Sequence, residues 1–381
     1  EHKEDLESGS RAAVLGGVTA VFEMPNTNPA TTTAETLADK LARAKGRMWC
    51  DHAFYVGASA ENIDELARLE MLPGCAGIKV FMGSSTGSLL VAEDELLLQV
   101  LRNGRRRIAI HAEDEARLAA RKGERVSGEP ASHPVWRDEE TAFAATRRIV
   151  ALARRAGRRL HILHVTTAEE MAYLADHKDL VTVEATPQHL TLAAPECYAE
   201  HGTLAQMNPP IRGAAHREAL WQAVHQGIVD VIGSDHAPHT LEEKAKRYPD
   251  SPSGMPGVQT LLPLLLDHVA AGRLTLARLV DLTSAGAARV FHLAAKGRIA
   301  VGWDGDYTLV DPKARWTIGD DWLASRCGWS PFAGRQVTGR PVATIVRGHV
   351  VMHEGELVGS PIGAPVRFEE TLLGEDGEAS T

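Results

Sequence analysis

Residues 107–114 read RIAIHAED: a β-branched run delivers His111 to its end and is followed at once by two carboxylates. The pattern recurs at residues 160–167, LHILHVTT, and at 233–240, GSDHAPHT, which place His164 and Asp235 at the ends of two further apolar runs. Working outward, short apolar runs at 18–24, 52–58, 76–82, 107–111, 159–165, 181–185 and 229–234 alternate with alanine- and leucine-rich stretches of helical period at 34–44, 61–70, 139–155 and 216–226. Strand alternating with helix at this spacing predicts βαβ units and a parallel sheet. The strand ends choose between a closed barrel and an open doubly wound sheet. Asn26, His111, His164, the Gln188-His189 pair and Asp235 lie at or just beyond them, and Lys79 lies within the third run. A barrel gathers such residues at one mouth, whereas an open sheet strings them along an edge.

The expected fold is therefore α/β, a (β/α)8 TIM-type barrel over residues 1–295. Seven strands are countable where closure needs eight, and chain order puts the missing first strand ahead of Ala12. Beyond residue 256 two helical stretches, 258–271 and 275–290, precede a change of composition. From 297 onward valine, glycine and aspartate dominate, which predicts a small β-sandwich-like appendage over 296–381. Its strands are expected at 306–310 and 343–353, with a turn at 303–306. The acidic stretch 373–381 is expected to fray.

Composition removes several function classes. A formal charge of −9 argues against a nucleic-acid surface, and no run of 18 or more apolar residues suggests a membrane span. The short arginine clusters at 105–107 and 154–159 read as solvated surface. The four cysteines (Cys50, Cys75, Cys197, Cys327) form no CxxC pair, which speaks against a disulfide framework or a zinc knuckle and fits the reducing cytoplasm.

The chemistry sits at the strand ends. His161 and His164 are three residues apart, so strand alternation predicts opposite faces; His164, nearer the C-terminal end, is the one expected in the mouth, and His161 is expected to be structural. Asp235, His236 and His239 add oxygen and nitrogen donors of the kind zinc takes. Lys79 lies within Ile78, Val80 and Phe81 in GIKVFMGSSTG (77–87). A buried lysine there is either paired with Glu23 or Asp235, extended to the rim, or deprotonated by burial and able to add carbon dioxide as a carbamate.

MPNTNP (24–29), GIKVFMGSSTG, IHAED (110–114), HILHVTT (161–167), NPPIR (208–212), SDHAPHT (234–240) and CGWSPFAG (327–334) occur in this order. Together they resemble the bacterial dihydroorotases of the amidohydrolase superfamily over almost the whole chain. The resemblance implies two zinc ions held by an H-x-H pair, a bridging carboxylated lysine, two histidines and an aspartate. Lys79, His111, His164 and Asp235 match the last four; the H-x-H pair and the arginine two residues after it have no match, so the expectation is of a chain short of its N-terminal segment. Asn26 and His239 match positions that hold the substrate carboxylate, and Asn208 with the Ser253-Gly254 backbone matches positions around the ring.

The implied reaction is the reversible closure of N-carbamoyl-L-aspartate to (S)-dihydroorotate in pyrimidine biosynthesis. A zinc-activated hydroxide attacks the ring amide, and Asp235 serves as general acid and base. A hydantoinase or allantoinase shares the metal ligands without the carboxylate pocket. A non-catalytic scaffold subunit of aspartate transcarbamoylase is the third reading, against which the retained ligands speak. The expected partners are the small-molecule substrate, a second copy of the chain in a homo-oligomer, and in the scaffold case aspartate transcarbamoylase; no nucleic acid or membrane is expected.

Overall fold

The computed structural model describes residues 1–85 and 89–372. Seven parallel strands form its centre: β1 (Ala20–Glu23), β2 (Asp51–Gly57), β3 (Cys75–Phe81), β4 (Ile108–His111), β5 (Leu160–Ile162), β6 (Val181–Ala185) and β7 (Val231–Ile232). They are hydrogen-bonded in sequence order from β1 to β7. This is a curling barrel wall of seven strands, and it stays open. Among the described residues β1 and β7 form no ladder with each other.

Strands β2 and β3 are buried at every position. That is how a wall covered by helices on one side and filled on the other reads in sequence. Several outer helices start where a short polar side chain takes an orphan backbone N–H. Thr33 caps Ala34–Ala44, Asp138 caps Glu139–Ala156 and Thr167 caps Ala168–Ala175. The Glu139–Ala156 helix stops at Gly157, whose φ of 71° suits glycine. No helix among the described residues is long and apolar enough to cross a membrane.

Several expected elements differ. The 61–70 stretch forms only a 3-10 turn, Ile63–Glu65, and one helical turn, Leu66–Leu69. The Asn62 amide competes there, donating to the Thr32 and Gly57 carbonyls at 2.8 Å each. The expected helix at 275–290 is broken by a π-turn at Asp281–Ala285. Helix Leu6–Leu15, capped by Asp5 and Ser8, was not expected from the sequence. Strands β5 and β7 are shorter than their apolar runs because His164 (φ 38°) and Asp235 (φ 41°) take the left-handed region and end the extended chain.

The C-terminal region builds a second, antiparallel sheet in the order β11-β10-β9-β8, from β8 (Tyr307–Thr317), β9 (Gln336–Val346), β10 (His349–His353) and β11 (Glu356–Leu357). The single strand expected at 343–353 is instead a hairpin. Arg347 (φ 46°) and Gly348 (φ 83°) form its two-residue turn, and Glu354 (φ 50°) with Gly355 (φ 85°) makes the next. Both central residues of such turns need positive φ, and an Arg-Gly or Glu-Gly pair is a weaker signal than Asn-Gly. The expected strand at 306–310 is the first part of the eleven-residue β8. The sheet is tied to the N-terminal helix and its turn: Thr344 Oγ1 donates to Val14 O and Thr308 Oγ1 to Gly17 O, both at 2.7 Å. The acidic stretch 373–381 lies outside the described residues.

Candidate active site

Register decides which side chains share the barrel interior. Lys79 pairs with Ala109, Ala109 with His161, and His161 with Thr182, so all four lie on one face of the wall. His111 and Glu184, two residues beyond Ala109 and Thr182, share that face. The expectation that His161 and His164 point to opposite faces fails, because the strand ends at Ile162 and the left-handed turn at His164 breaks the alternation. His161 keeps its structural character: its Nδ1 bonds Thr182 Oγ1 at 2.9 Å and its ring meets the edge of Phe291.

A cavity of about 1440 Å³ opens on this face. Lys79, His111, His164, Glu184 and Asp235 line it, together with Asn26, Asn208, His239, Ser253 and Gly254. Every site residue expected from the sequence thus borders one space. His111 and His164 meet directly, with His111 Nδ1 3.1 Å from His164 Nε2. The other nitrogen of His111, Nε2, lies 3.0 Å from Glu113 Oε2. A carboxylate at that distance accepts, so Nε2 carries the proton and Nδ1 turns its lone pair toward His164. Two ring nitrogens facing one another across a short gap suit a cation in place of the shared proton. His164 Nδ1 is buried with no hydrogen-bond partner among the described residues.

Burial dominates the electrostatics. It holds His111 below the ordinary imidazole value, and His164 well below it, so both rings stay neutral as metal ligands require. Lys79 is 2 % exposed, and burial brings its amine down to about 7 against the opposing pull of Asp235 and Glu184. Its nitrogen lies 4.4 Å from the centre of the Phe81 ring. Burial and the Glu184 charge push the Asp235 carboxyl up to about 7, while Lys79 draws it down. Burial alone would raise Glu113, but the Arg137 guanidinium and His111 beside it carry it down to about 2. Asp235 stands off from the two histidines: among the described residues these three do not bring ligand atoms within 4.8 Å of one another. Asp51, Asp304 and Asp306 do form such a group, but Lys296 Nζ sits among them at 2.8, 3.1 and 2.5 Å. That cluster is a neutralised clamp between β2 and the residues leading into β8.

A profile of the amidohydrolase family matches residues 1–351. The chain belongs to the amidohydrolase family. Among its relatives, a dihydroorotase of Halobacterium salinarum is 39% identical over 371 residues, covering 96% of this chain and 85% of that protein. A dihydroorotase of Pyrococcus furiosus is 34% identical over 365 residues, covering 95% and 80%. Among solved structures, the L-hydantoinase (dihydropyrimidinase) from Arthrobacter aurescens superposes with a TM-score of 0.90 at 29% identity, covering 96% of this chain and 85% of that one. The inactive dihydroorotase-like domain of a Chaetomium thermophilum multifunctional protein shares the fold, with a TM-score of 0.71 at 19% identity. As a family member the chain is a cyclic amidohydrolase with a metal-dependent barrel.

Some expected contacts are redirected in this amidohydrolase. Gln188 and His189 serve the scaffold, bonding Ser234 O at 2.7 Å and Pro209 O at 3.0 Å. The sixth strand reaches the cavity through Glu184, which sequence reasoning missed. A carboxylate inside VTVEA was the available signal. Gly233 makes room for it, since a Cβ there would fall 2.4 Å from the Glu184 carboxyl carbon. His236 is held by the backbone, its Nδ1 accepting from Gly257 N at 3.0 Å. Lys79 does not pair with Glu23, which takes Lys40 at 2.5 Å. Asn208 Oδ1 accepts from His133 Nε2 at 2.9 Å, another residue the sequence did not single out.

Proposed function

We propose that this amidohydrolase is a dihydroorotase, closing N-carbamoyl-L-aspartate to (S)-dihydroorotate and reopening the ring. One observation carries the reading: Lys79, His111, His164 and Asp235, from four different strands or the turns that end them, border one cavity, where burial lowers the lysine and histidine pKa values and raises that of the aspartate. Curated dihydroorotases 31% to 39% identical over nearly the whole chain favour this substrate over a hydantoin. The likeness to the L-hydantoinase keeps a hydantoinase-type activity as the second reading.

The residues fit zinc: the lone pairs of His111 Nδ1 and His164 Nε2, the Asp235 carboxylate and Lys79 would hold it, four of the six ligands that the resemblance implies for a pair of ions. A lysine amine brought near 7 is partly neutral at physiological pH. It can therefore add to carbon dioxide, forming the N–C bond of a carbamate and releasing one proton. The added carboxylate would give Lys79 oxygen ligands that the amine lacks. When bound, the metal pair activates water and polarises the ring carbonyl. Asp235 takes the proton of the water that adds to that carbon and returns it to the ring nitrogen as the C–N bond breaks; its carboxyl, raised to about 7, is poised for both directions.

Asn26 and His239 are assigned to the substrate carboxylate, and Asn208, Ser253 and Gly254 to the ring. Residues 1–295 form the catalytic barrel and 296–381 an appendage that braces it; the protein works in the cytoplasm as a homo-oligomer. The test is turnover of dihydroorotate, hydantoin and allantoin by the zinc-supplied protein. Dihydroorotate is expected to be favoured by at least about 100-fold in kcat/KM, since a lost charge-assisted pair and its stranded polar partners both count. Equal or better turnover of hydantoin would give the second reading the site.

A further inference from the structure

This inference rests on the assignment of the Ser253-Gly254 backbone to the substrate and concerns what holds that backbone in place. Lys244 stands behind it, at the end of the short helix Leu241–Lys244 that follows the β7 turn. Its side chain is fully buried, and burial brings its amine down to about 7 with no neighbouring charge pulling it back. Glu243, next to it in the chain, is turned to His2 at 2.9 Å, Thr240 N at 3.1 Å and His239 at 3.4 Å.

The ammonium has three carbonyls instead of an anion. Its Nζ donates to Pro252 O and Gly254 O at 2.9 Å each and to Gln206 O at 3.1 Å. An ammonium carries three N–H donors, so all of them are used. Burying a cation without an anion is costly, and what this one achieves is the joining of two loops. Both loops border the cavity, one through Ser253 and Gly254 and the other through Asn208. Gln206 knits the same two segments: its carbonyl accepts from Gly254 N at 2.9 Å, and its Nε2 donates to Ser251 O and Ser253 Oγ at 3.0 Å each.

The backbone groups of the Ser253-Gly254 pair can then be followed one by one. Ser253 O faces His239 Nε2 at 3.1 Å, Gly254 O faces Lys244, and Gly254 N is taken by Gln206 O. The Ser253 N–H has no such partner among the described residues. The Pro252–Ser253 peptide is trans, so with its C=O turned to Lys244 its N–H points the opposite way.

We propose that Lys244 is a positioning residue for substrate binding: by holding Pro252 O and Gly254 O from behind, it fixes the peptide between them so that the Ser253 N–H is presented to an oxygen of the substrate. Lys244 touches no substrate atom itself. It acts on affinity, and the metal ligands do not depend on it.

Steady-state kinetics of the zinc-supplied full chain on dihydroorotate and on hydantoin, with zinc per chain measured by elemental analysis, tests this. Lys244→Met, which fills the space without a donor, is expected to raise KM about 10-fold, the scale of one hydrogen bond to a substrate oxygen, while kcat stays within about 3-fold and zinc is retained. Lys244→Gln, which keeps an amide N–H donor for these carbonyls, is expected to give a smaller rise. Unchanged KM in both variants would overturn the inference. Zinc, kcat and KM failing together, or neither variant folding, would overturn it too, since the lysine would then support the fold as a whole. Preference of the unsubstituted protein for hydantoin would end the dihydroorotase reading alone; both rings carry a cyclic amide whose oxygen accepts, so the KM change is then read on hydantoin. Turnover of neither ring by the unsubstituted protein would overturn that reading and the inference together.

Discussion

Asp235 and Lys79 show why single residues carry this site. Each is a charged group placed where charge is costly, and the two are coupled by proximity. Burial moves the carboxyl up and the amine down until both lie near 7. Neither shift contributes to folding: a carboxyl raised from 3.8 weakens the metal-free fold as pH rises toward 7, and an amine lowered from 10.5 weakens it as pH falls toward 7. Groups arranged at such cost at a strand end are characteristic of function. Asp235→Asn is expected to keep an oxygen ligand but lose the proton relay, lowering kcat by at least roughly 100-fold with much of the metal retained. Steady-state kinetics alongside elemental analysis checks it, and near-normal kcat would make Asp235 a ligand only.

At the scale of elements, the pattern of apolar runs was enough to locate all seven strands, since strand and helix periods differ sharply. Ends were less legible. The left-handed turns at His164 and Asp235 truncate β5 and β7; histidine and aspartate are among the residues that favour this conformation, but it is too uncommon even for them to be read from residue type alone. Tertiary partners were invisible because they join segments far apart in the chain. The buried Glu113–Arg137 ion pair joins the end of β4 to the turn after His133–Trp136, across 24 residues of sequence. Its effect on stability has a definite sign. Glu113 is depressed from 4.5 to about 2, so its contribution is fully present above 4.5 and is lost as pH falls through about 2. The size is on the order of 3 kcal/mol at about 1.4 kcal/mol per pH unit. Glu113→Gln is expected to destabilise the protein near neutrality by about 3–5 kcal/mol, by stranding a buried guanidinium. Urea unfolding at pH 7 and pH 2.5 should show the gap between the two proteins narrowing with acid; a constant gap would remove the ionic account.

For the molecule as a whole, the open wall sets the distribution of stability. Among the described residues, strands β3, β4 and β5 have hydrogen-bonded neighbours on both sides, whereas β1 and β7 each have one. The cavity runs from the mouth down this seam, past Val18, Val21, Val231, Ile232 and Leu262. An apolar edge left without a partner strand opens readily and invites association. Hydrogen exchange should find the amides of β1 and β7 exchanging well before those of β3 to β5. Equal protection across all seven strands would mean that the seam is covered in solution. The strand count in the sequence agrees with the seven-strand wall, and the family resemblance pointed to Lys79, His111, His164 and Asp235, which border the cavity. What neither supplied was the wiring around them, Glu184 in the wall, His133 behind Asn208 and Lys3 on His239, because each contact joins segments far apart in the chain.

The central claim is that Lys79 bridges a metal pair that turns over dihydroorotate. The most direct measurement is zinc per chain, by elemental analysis, together with dihydroorotate turnover, in the unsubstituted protein and in Lys79→Ala. Loss of the bridge is expected to lower zinc content and turnover in step, with partial recovery of both when a short carboxylic acid is supplied. Unchanged zinc and turnover in Lys79→Ala would contradict the account.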